Sequence, residues 1–133
     1  MEIDWDSLTF SFTATDVMYR QVIPSGSEWG DGELLPFGDI SISPAAGVLN
    51  YGQGIFEGMK AQRSEDGSIV LFRPKQNAAR FAQGASRLGM PPVPEDIFIN
   101  AVDSVVEKMK GGFLLLEEEL CMFVQFCGVV ERF

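Results

Sequence analysis

Along the later half of the chain, apolar side chains return at helical spacing. Ile97, Phe98, Ala101, Val102, Val105, Val106 and Met109 form one continuous stripe, the mark of a helix that buries a single face. Pro94-Glu95-Asp96 opens it, with acids at the end where the helix dipole favours them, and Gly111-Gly112 closes it. An earlier stripe of Ala78, Phe81, Ala85 and Leu88 predicts a helix from Pro74 to about Leu88, ended by Gly89-Met90-Pro91-Pro92. Upstream the period shortens. Phe56 to Arg63 reads as a strand and Ile69 to Phe72 as its hairpin partner. Ser64 to Ser68 between them holds an Asp-Gly pair suited to a tight turn. The second strand is apolar at every position, which predicts a place inside a sheet. Leu8 to Ile23 reads as one or two strands broken near Thr15-Asp16. Ser25-Gly26-Ser27 and Gly30-Asp31-Gly32 mark loops, and Asp39 to Ser43 a short strand. Pro44-Ala45-Ala46 opens a short helix. The expected class is α/β of the α+β type: a small mixed sheet with two packed helices.

The tail has a different character. Phe113-Leu114-Leu115-Leu116 leads into Glu117-Glu118-Glu119, then a run rich in Cys, Phe and Val. The organisation expected is a small domain over 1–112 and a divergent apolar and acidic tail over 113–133. The tail is expected to be an appendage whose loss (Leu114 to Phe133) leaves the fold intact and improves solubility; the competing view makes it a strand added to the sheet, for which its composition is suited.

Composition narrows the chemistry. The 133 residues are enough for one domain. Nineteen carboxylates face 10 Lys plus Arg, for a net charge of −9. That argues against nucleic acid and against anionic membrane surfaces. The chain has no histidine, which removes Ser-His-Asp and Cys-His catalysis, His general bases and the usual zinc sites. Cys121 and Cys127 fit neither a CxxC redox pair nor a metal site and read as small core residues. No metal is expected. The start, Met1 to Asp6, lacks the basic and apolar pattern of a targeting segment, so the sequence as given reads as cytoplasmic.

Two regions carry candidate chemistry. Gly52, Gly54 and Gly58 do not fit a dinucleotide fingerprint, because the spacing is too long and a strand follows. From composition they mark a tight turn into a strand, with Tyr51 and Phe56 as core aromatics. Arg73, Arg80 and Arg87 recur every seven residues, which sets Arg80 and Arg87 on one flank of the first long helix, with Gly84 leaving room beside them. Such a flank is either a solvated basic stripe or an anion site, since the arginine fork suits phosphate.

The motif Tyr51-Gly52-Gln53-Gly54-Ile55-Phe56-Glu57-Gly58, then Leu71-Phe72-Arg73-Pro74, then Asn77 and Arg80, resembles the small domain of the plant-type branched-chain amino acid aminotransferases. The resemblance runs over roughly residues 3 to 110 and takes in Trp5 to Tyr19 and Leu34 to Leu49. It implies the fold of that small domain and a pyridoxal phosphate (PLP) cofactor. The implied activity is amino transfer between leucine, isoleucine or valine and 2-oxoglutarate. It implies that Arg80 holds the cofactor phosphate and Phe56 forms an apolar wall of the substrate pocket. It also implies that Tyr51 reaches a neighbouring subunit's pocket, Gly58 leaves the strand open to substrate, and Lys60 lies near the pocket. The family's Schiff-base lysine belongs to a second, larger domain, and Lys60, Lys75, Lys108 and Lys110 stand in no matching context. No catalytic residue is therefore assigned, and the chain reads as a shortened relative, inactive alone. The alternatives are an interaction protein that pairs with a full-length relative, and a small anion-binding domain.

Overall fold

The computed structural model describes residues 15–109 and the strand 120–127. Five strands and three helices follow in the order β1 (Val17–Arg20), β2 (Glu33–Pro36), α1 (Gly47–Tyr51), β3 (Gly54–Arg63), β4 (Ile69–Leu71), α2 (Pro74–Arg87), α3 (Glu95–Met109) and β5 (Leu120–Cys127). The α+β expectation holds, with two small sheets in place of one. β1 pairs with β2, and a second sheet has the order β4-β3-β5. Every pairing described is antiparallel.

β3 is the longest strand and organises the rest. Its burial alternates: Met59 and Ala61 are buried, while Phe56, Gly58, Lys60 and Gln62 are exposed. Period-2 alternation of this kind belongs to a sheet with one covered face. The cover is helical. Ala78 and Phe81 of α2 and Phe98, Val102 and Val106 of α3 close on Met59 and Ala61 in one apolar cluster. The rings of Phe81 and Phe98 meet at 5.4 Å and an interplanar angle of 53°, a tilted arrangement that aromatic quadrupoles favour. Each large side chain buried in this way contributes about 1.5–3 kcal/mol. Of the stripes expected from periodicity, Ala78, Phe81, Ala85, Phe98, Val102, Val106 and Met109 are buried, Ile97, Ala101 and Val105 are half-buried, and Leu88 is 41% exposed just past the last turn of α2.

Helix ends and turns follow local chemistry. Pro74 stands at the first position of α2, where its missing N–H costs nothing. Glu95 and Asp96 lie in the first turn of α3 and Lys108 in its last, each at the dipole end that suits its charge. In the β3–β4 turn the Gly67 N–H donates to Ser64 O at 2.8 Å, and the Asp66 carboxylate accepts from the Ser68 N–H at 2.9 Å and the Ser68 hydroxyl at 2.6 Å. These bonds hold the Asp66 carboxyl below its usual range.

Several expectations are corrected. β4 is an edge strand, with Val70 47% exposed, because it pairs with β3 over only three positions and nothing described lies beyond it. Its uniform apolarity marks a second surface that wants cover. Asp39 to Ser43 forms no strand. Ile40 and Ile42 alternate with polar residues, but among the described residues no neighbouring strand accepts their backbone groups, whereas Glu33–Pro36 finds β1. Pro44-Ala45 make a turn and the short helix begins at Gly47. Of the strand region Leu8 to Ile23, Val17–Arg20 is a strand, and residues 8–14 lie outside those described. The loop between β1 and β2 is tied down by the Trp29 Nε1–H, which donates to Pro92 O at 3.0 Å.

The boundary expected at residue 112 also falls outside the described residues. The tail beyond it supplies β5, which pairs with β3 from Gly54↔Cys127 to Ala61↔Leu120. The register matches Met122 to Met59 and Leu120 to Ala61, the helix-covered positions of β3. A strand paired over that length is part of the same sheet as β3, so the appendage reading is replaced by the added-strand reading.

Val102 is 2% exposed in the centre of the core. Val102→Asp places an unpaired carboxylate there and is expected to cost about 3 kcal/mol or more. Thermal melting checks this: the variant should unfold or aggregate, and an unchanged melting temperature would contradict the packing described.

Candidate functional site

The Tyr51-Gly52 turn delivers the chain into β3. Gly52 caps α1 in the left-handed region at φ 64°, and its N–H donates to Gly47 O. A side chain at that φ is disfavoured. Its carbonyl accepts from the Gly54 N–H at 2.8 Å, which starts the strand at once. Gln53 Nε2 donates to Leu88 O at 2.8 Å and pins the strand entrance to the end of α2. Gly84 lets helix and strand approach: a Cβ there would lie 3.4 Å from Ile55 Cγ2.

The alternation of β3 sorts the candidate residues. Phe56, Gly58 and Lys60 share the exposed parity, so the structure brings these three together on the open face of the sheet. Phe56 is 77% exposed, and Tyr51, at the end of α1, is 73% exposed. Neither is a core aromatic, against the composition-based reading. Phe56 stands on the open face of the central strand of its sheet.

Arg80 lies elsewhere. It projects from α2, on the helix-covered side of β3, and its partner is Glu57. Arg80 Nε donates to Glu57 Oε2 at 3.0 Å and Nη2 donates to Oε1 at 2.8 Å. Asn77, three residues earlier on the same helix face, is buried. Its Nδ2 donates to Glu57 Oε1 at 3.0 Å and to Gly58 O at 3.0 Å. The Gly58 N–H also donates to the Glu57 carboxylate. The carboxylate is thus gripped by a bidentate guanidinium, an amide and a backbone N–H, with only 11% of its side chain exposed. The Arg80 hydrogen bond is the main cause that holds the Glu57 carboxyl below the usual glutamate range. Partial burial opposes it, and the arginine's charge, Asn77 and the Gly58 N–H reinforce it. Arg80 in turn is raised above its ordinary value by the same bond.

Glu57 is the site residue that sequence reasoning missed. The signal was present: a carboxylate on the inward parity of β3, between Ile55 and Met59, needs a partner in the core. Asn77 and Arg80, at helical i, i+3 spacing, are those partners. The three regularly spaced arginines do not act as one stripe. Arg73 precedes α2 with φ 52°, its guanidinium 5.8 Å from the Phe72 ring centroid. Arg80 is clamped to Glu57. Arg87 sits in the last turn of α2, where a cation suits the helix dipole.

Glu57 engages only part of the Arg80 guanidinium. The Arg80 side chain is 60% exposed, and Nη1 makes no hydrogen bond among the described residues. Lys75 is paired with Glu95 at 3.0 Å, and Lys60 stands on the opposite face of β3 from Arg80. No group of three or more His, Cys, Asp or Glu among the described residues could hold a metal. None of the helices described is long and apolar enough to cross a membrane.

A depressed carboxyl pKa contributes stability above the unfolded value, and that stability is lost as pH falls through the folded value. Glu57→Gln is therefore expected to lower the melting temperature at neutral pH, with the deficit shrinking as pH drops through and below the usual glutamate range. Melting curves of both proteins across that range check it. A deficit that does not change with pH would mean the carboxylate charge is not what Arg80 and Asn77 hold.

Known proteins share much of this sequence and fold. No protein-family model matches the chain. Among curated proteins, the chain is 53% identical over 105 residues to the chloroplastic branched-chain amino acid aminotransferase 2 of Humulus lupulus, covering 79% of this chain and 26% of that protein. It is 51% identical over 105 residues to the chloroplastic branched-chain-amino-acid aminotransferase 5 of Arabidopsis thaliana, covering 79% and 25%. Among solved structures, it superposes on the branched-chain amino acid aminotransferase of Thermobaculum terrenum, solved in its PLP form, with a TM-score of 0.53 over 68% of this chain and 29% of that one. At 16% identity that likeness concerns the fold alone. The chain spans about a quarter of the length of the curated relatives it matches. Sequence identity over 79% of this chain and the likeness of fold agree: the chain is a homologue of about a quarter of the length of the plant branched-chain amino acid aminotransferases.

Proposed function

We propose that this chain supplies the small-domain side of a branched-chain aminotransferase site and does not transaminate alone. The observation that carries the reading is the open face of β3, where Phe56 is 77% exposed beside Gly58 and Lys60. An apolar wall of that kind suits a branched aliphatic side chain once a larger domain closes over it. The substrates would be leucine, isoleucine or valine with a 2-oxo acid. Tyr51, 73% exposed at the mouth of β3, would reach toward a second subunit, and the dimer would include a full-length relative.

The cofactor of the reading is PLP, which when bound supplies an electron sink for amino transfer. The chain's own residues fit one end of it. Arg80, held in place by Glu57, offers its remaining donors to a phosphate, and the phosphate gains a pre-oriented guanidinium. The aldehyde end requires a lysine amine. Lys75 is engaged by Glu95, and Lys60 faces away from Arg80 across the strand. Glu57 has a positioning part: it fixes the arginine's orientation while reducing the net charge that an incoming anion meets.

Two measurements test this. The purified chain with PLP, leucine and 2-oxoglutarate should form no glutamate above a heat-treated control, and turnover above that control would overturn the reading. Phosphate should bind weakly, at millimolar strength, which corresponds to about 4 kcal/mol, and more weakly as salt rises. Arg80→Ala should abolish that binding and Arg87→Ala should leave it largely unchanged, followed by NMR shifts of amides near Gly84. Equal losses in both variants would reduce Arg80 to one member of a diffuse basic flank.

A further inference from the structure

Among the described residues β5 ends its sheet, and the direction of its backbone groups can be worked out from three bonds. In an antiparallel ladder, the N–H and C=O of one residue point to one side and those of the next point to the other. At the hairpin end of β3 the Ser64 N–H donates to Ser68 O at 2.8 Å, toward β4. Further along, Gly58 O accepts from Asn77 Nδ2 at 3.0 Å, and the Gly58 N–H goes to the Glu57 carboxylate. Even-numbered residues of β3 therefore aim away from β5 and odd-numbered ones toward it. The register then fixes β5. Leu120, Met122, Val124 and Phe126 exchange bonds with Ala61, Met59, Glu57 and Ile55. Cys121, Phe123, Gln125 and Cys127 aim their backbone groups away from β3, and among the described residues no strand receives them.

An unpaired edge is a template for another strand, and folded proteins protect such edges with charge, proline or a bulge. β5 reads Leu-Cys-Met-Phe-Val-Gln-Phe-Cys, without a charge or a proline, and its register runs over eight consecutive pairs without a bulge. The chain carries a net charge of −9, so two copies repel over much of their surface and least where no charge is present. The edge is also self-complementary. A two-fold axis through Val124 sets Cys121 opposite Cys127 and Phe123 opposite Gln125, so that all outward-aimed residues are matched at once, as an isologous contact requires.

We propose that β5 pairs antiparallel with β5 of a second copy, about a two-fold axis at Val124, to join the two sheets into one continuous sheet. The interface is made by residues beyond 112, where the chain no longer resembles the plant aminotransferases, and it leaves the open face of β3 uncovered.

Sedimentation and amide hydrogen exchange on the full chain test this, from about micromolar to about millimolar protein. The expected result is a mass of two copies that grows in with concentration. The Cys121, Phe123, Gln125 and Cys127 amides should slow about ten-fold or more as it does, while the Met122, Val124 and Phe126 amides stay slow throughout. Gln125→Pro removes an outward N–H without removing a bond to β3, and should give a monomer of unchanged melting temperature. If that variant fails to fold, Gln125→Lys serves in its place, with an expected rise in dissociation constant of about ten-fold. A single-copy mass at every concentration overturns the proposal. So does slow exchange of the outward amides that does not depend on concentration, which would place another segment of the same chain on the edge. Association beyond two copies, or a dimer that persists in the variant that folds, overturns it as well.

Discussion

A ten-residue strand with one face pressed against two helices can place only every second side chain in the core. That constraint on β3 governs the rest of this molecule. Met59 and Ala61 take inward positions and meet α2 and α3. Glu57 takes another, and a carboxylate on that parity is tolerable only with partners. Asn77 and Arg80 supply them, each from the face of α2 that already lies against the strand. The same parity holds Phe56, Gly58 and Lys60 outward. A shift of one residue in the pairing would exchange the two sets and bury Lys60 in place of Met59.

The two groups of candidate residues are therefore separated by the thickness of a strand. Phe56, Gly58 and Lys60 lie on the open face, and Arg80 stands on the helix side, linked to that face through Glu57 and the Gly58 peptide. Asn77 joins both sides: one amide group satisfies the carboxylate that orients Arg80 and the carbonyl of the glycine on the open face. Movement of α2 along the strand would disturb both groups together. Close packing at Gly84 against Ile55, and the Gln53 bond to Leu88, oppose such movement.

The sheet is completed from the far end of the chain. β4 covers β3 only from Ala61 to Arg63, whereas β5 follows it from Gly54 to Ala61. Without β5, the backbone groups of Ile55, Glu57, Met59 and Ala61 that aim its way would face water. A short edge strand on one side and a longer, uncharged one on the other give the sheet two unlike borders. The chemistry proposed for the open face and the association proposed for the β5 edge draw on different surfaces of the same sheet.

Periodicity alone determined the two long helices and the β3–β4 hairpin. Helical spacing from Ala78 to Ala85 and from Ile97 to Met109 admits one buried face each, and an Asp-Gly pair between apolar runs admits little besides a turn. The motif around Tyr51 to Arg80 also told which family the chain resembles. What local pattern could not decide is which strand lies beside which. Asp39 to Ser43 reads as a strand and Glu33–Pro36 does not, yet among the described residues only the second finds a partner, in β1. The apolar run of β4 reads as an interior strand, yet strand order places it at an edge. The tail reads equally well as an appendage or a strand until its register on β3 is known. The bond between Glu57 and Arg80 spans 23 residues of sequence, and an ion pair between a strand and a helix leaves no periodic trace along the chain. Local spacing determines which face of an element is apolar, while the partners of its polar and backbone groups are set by segments remote in sequence, and those only the tertiary structure decides.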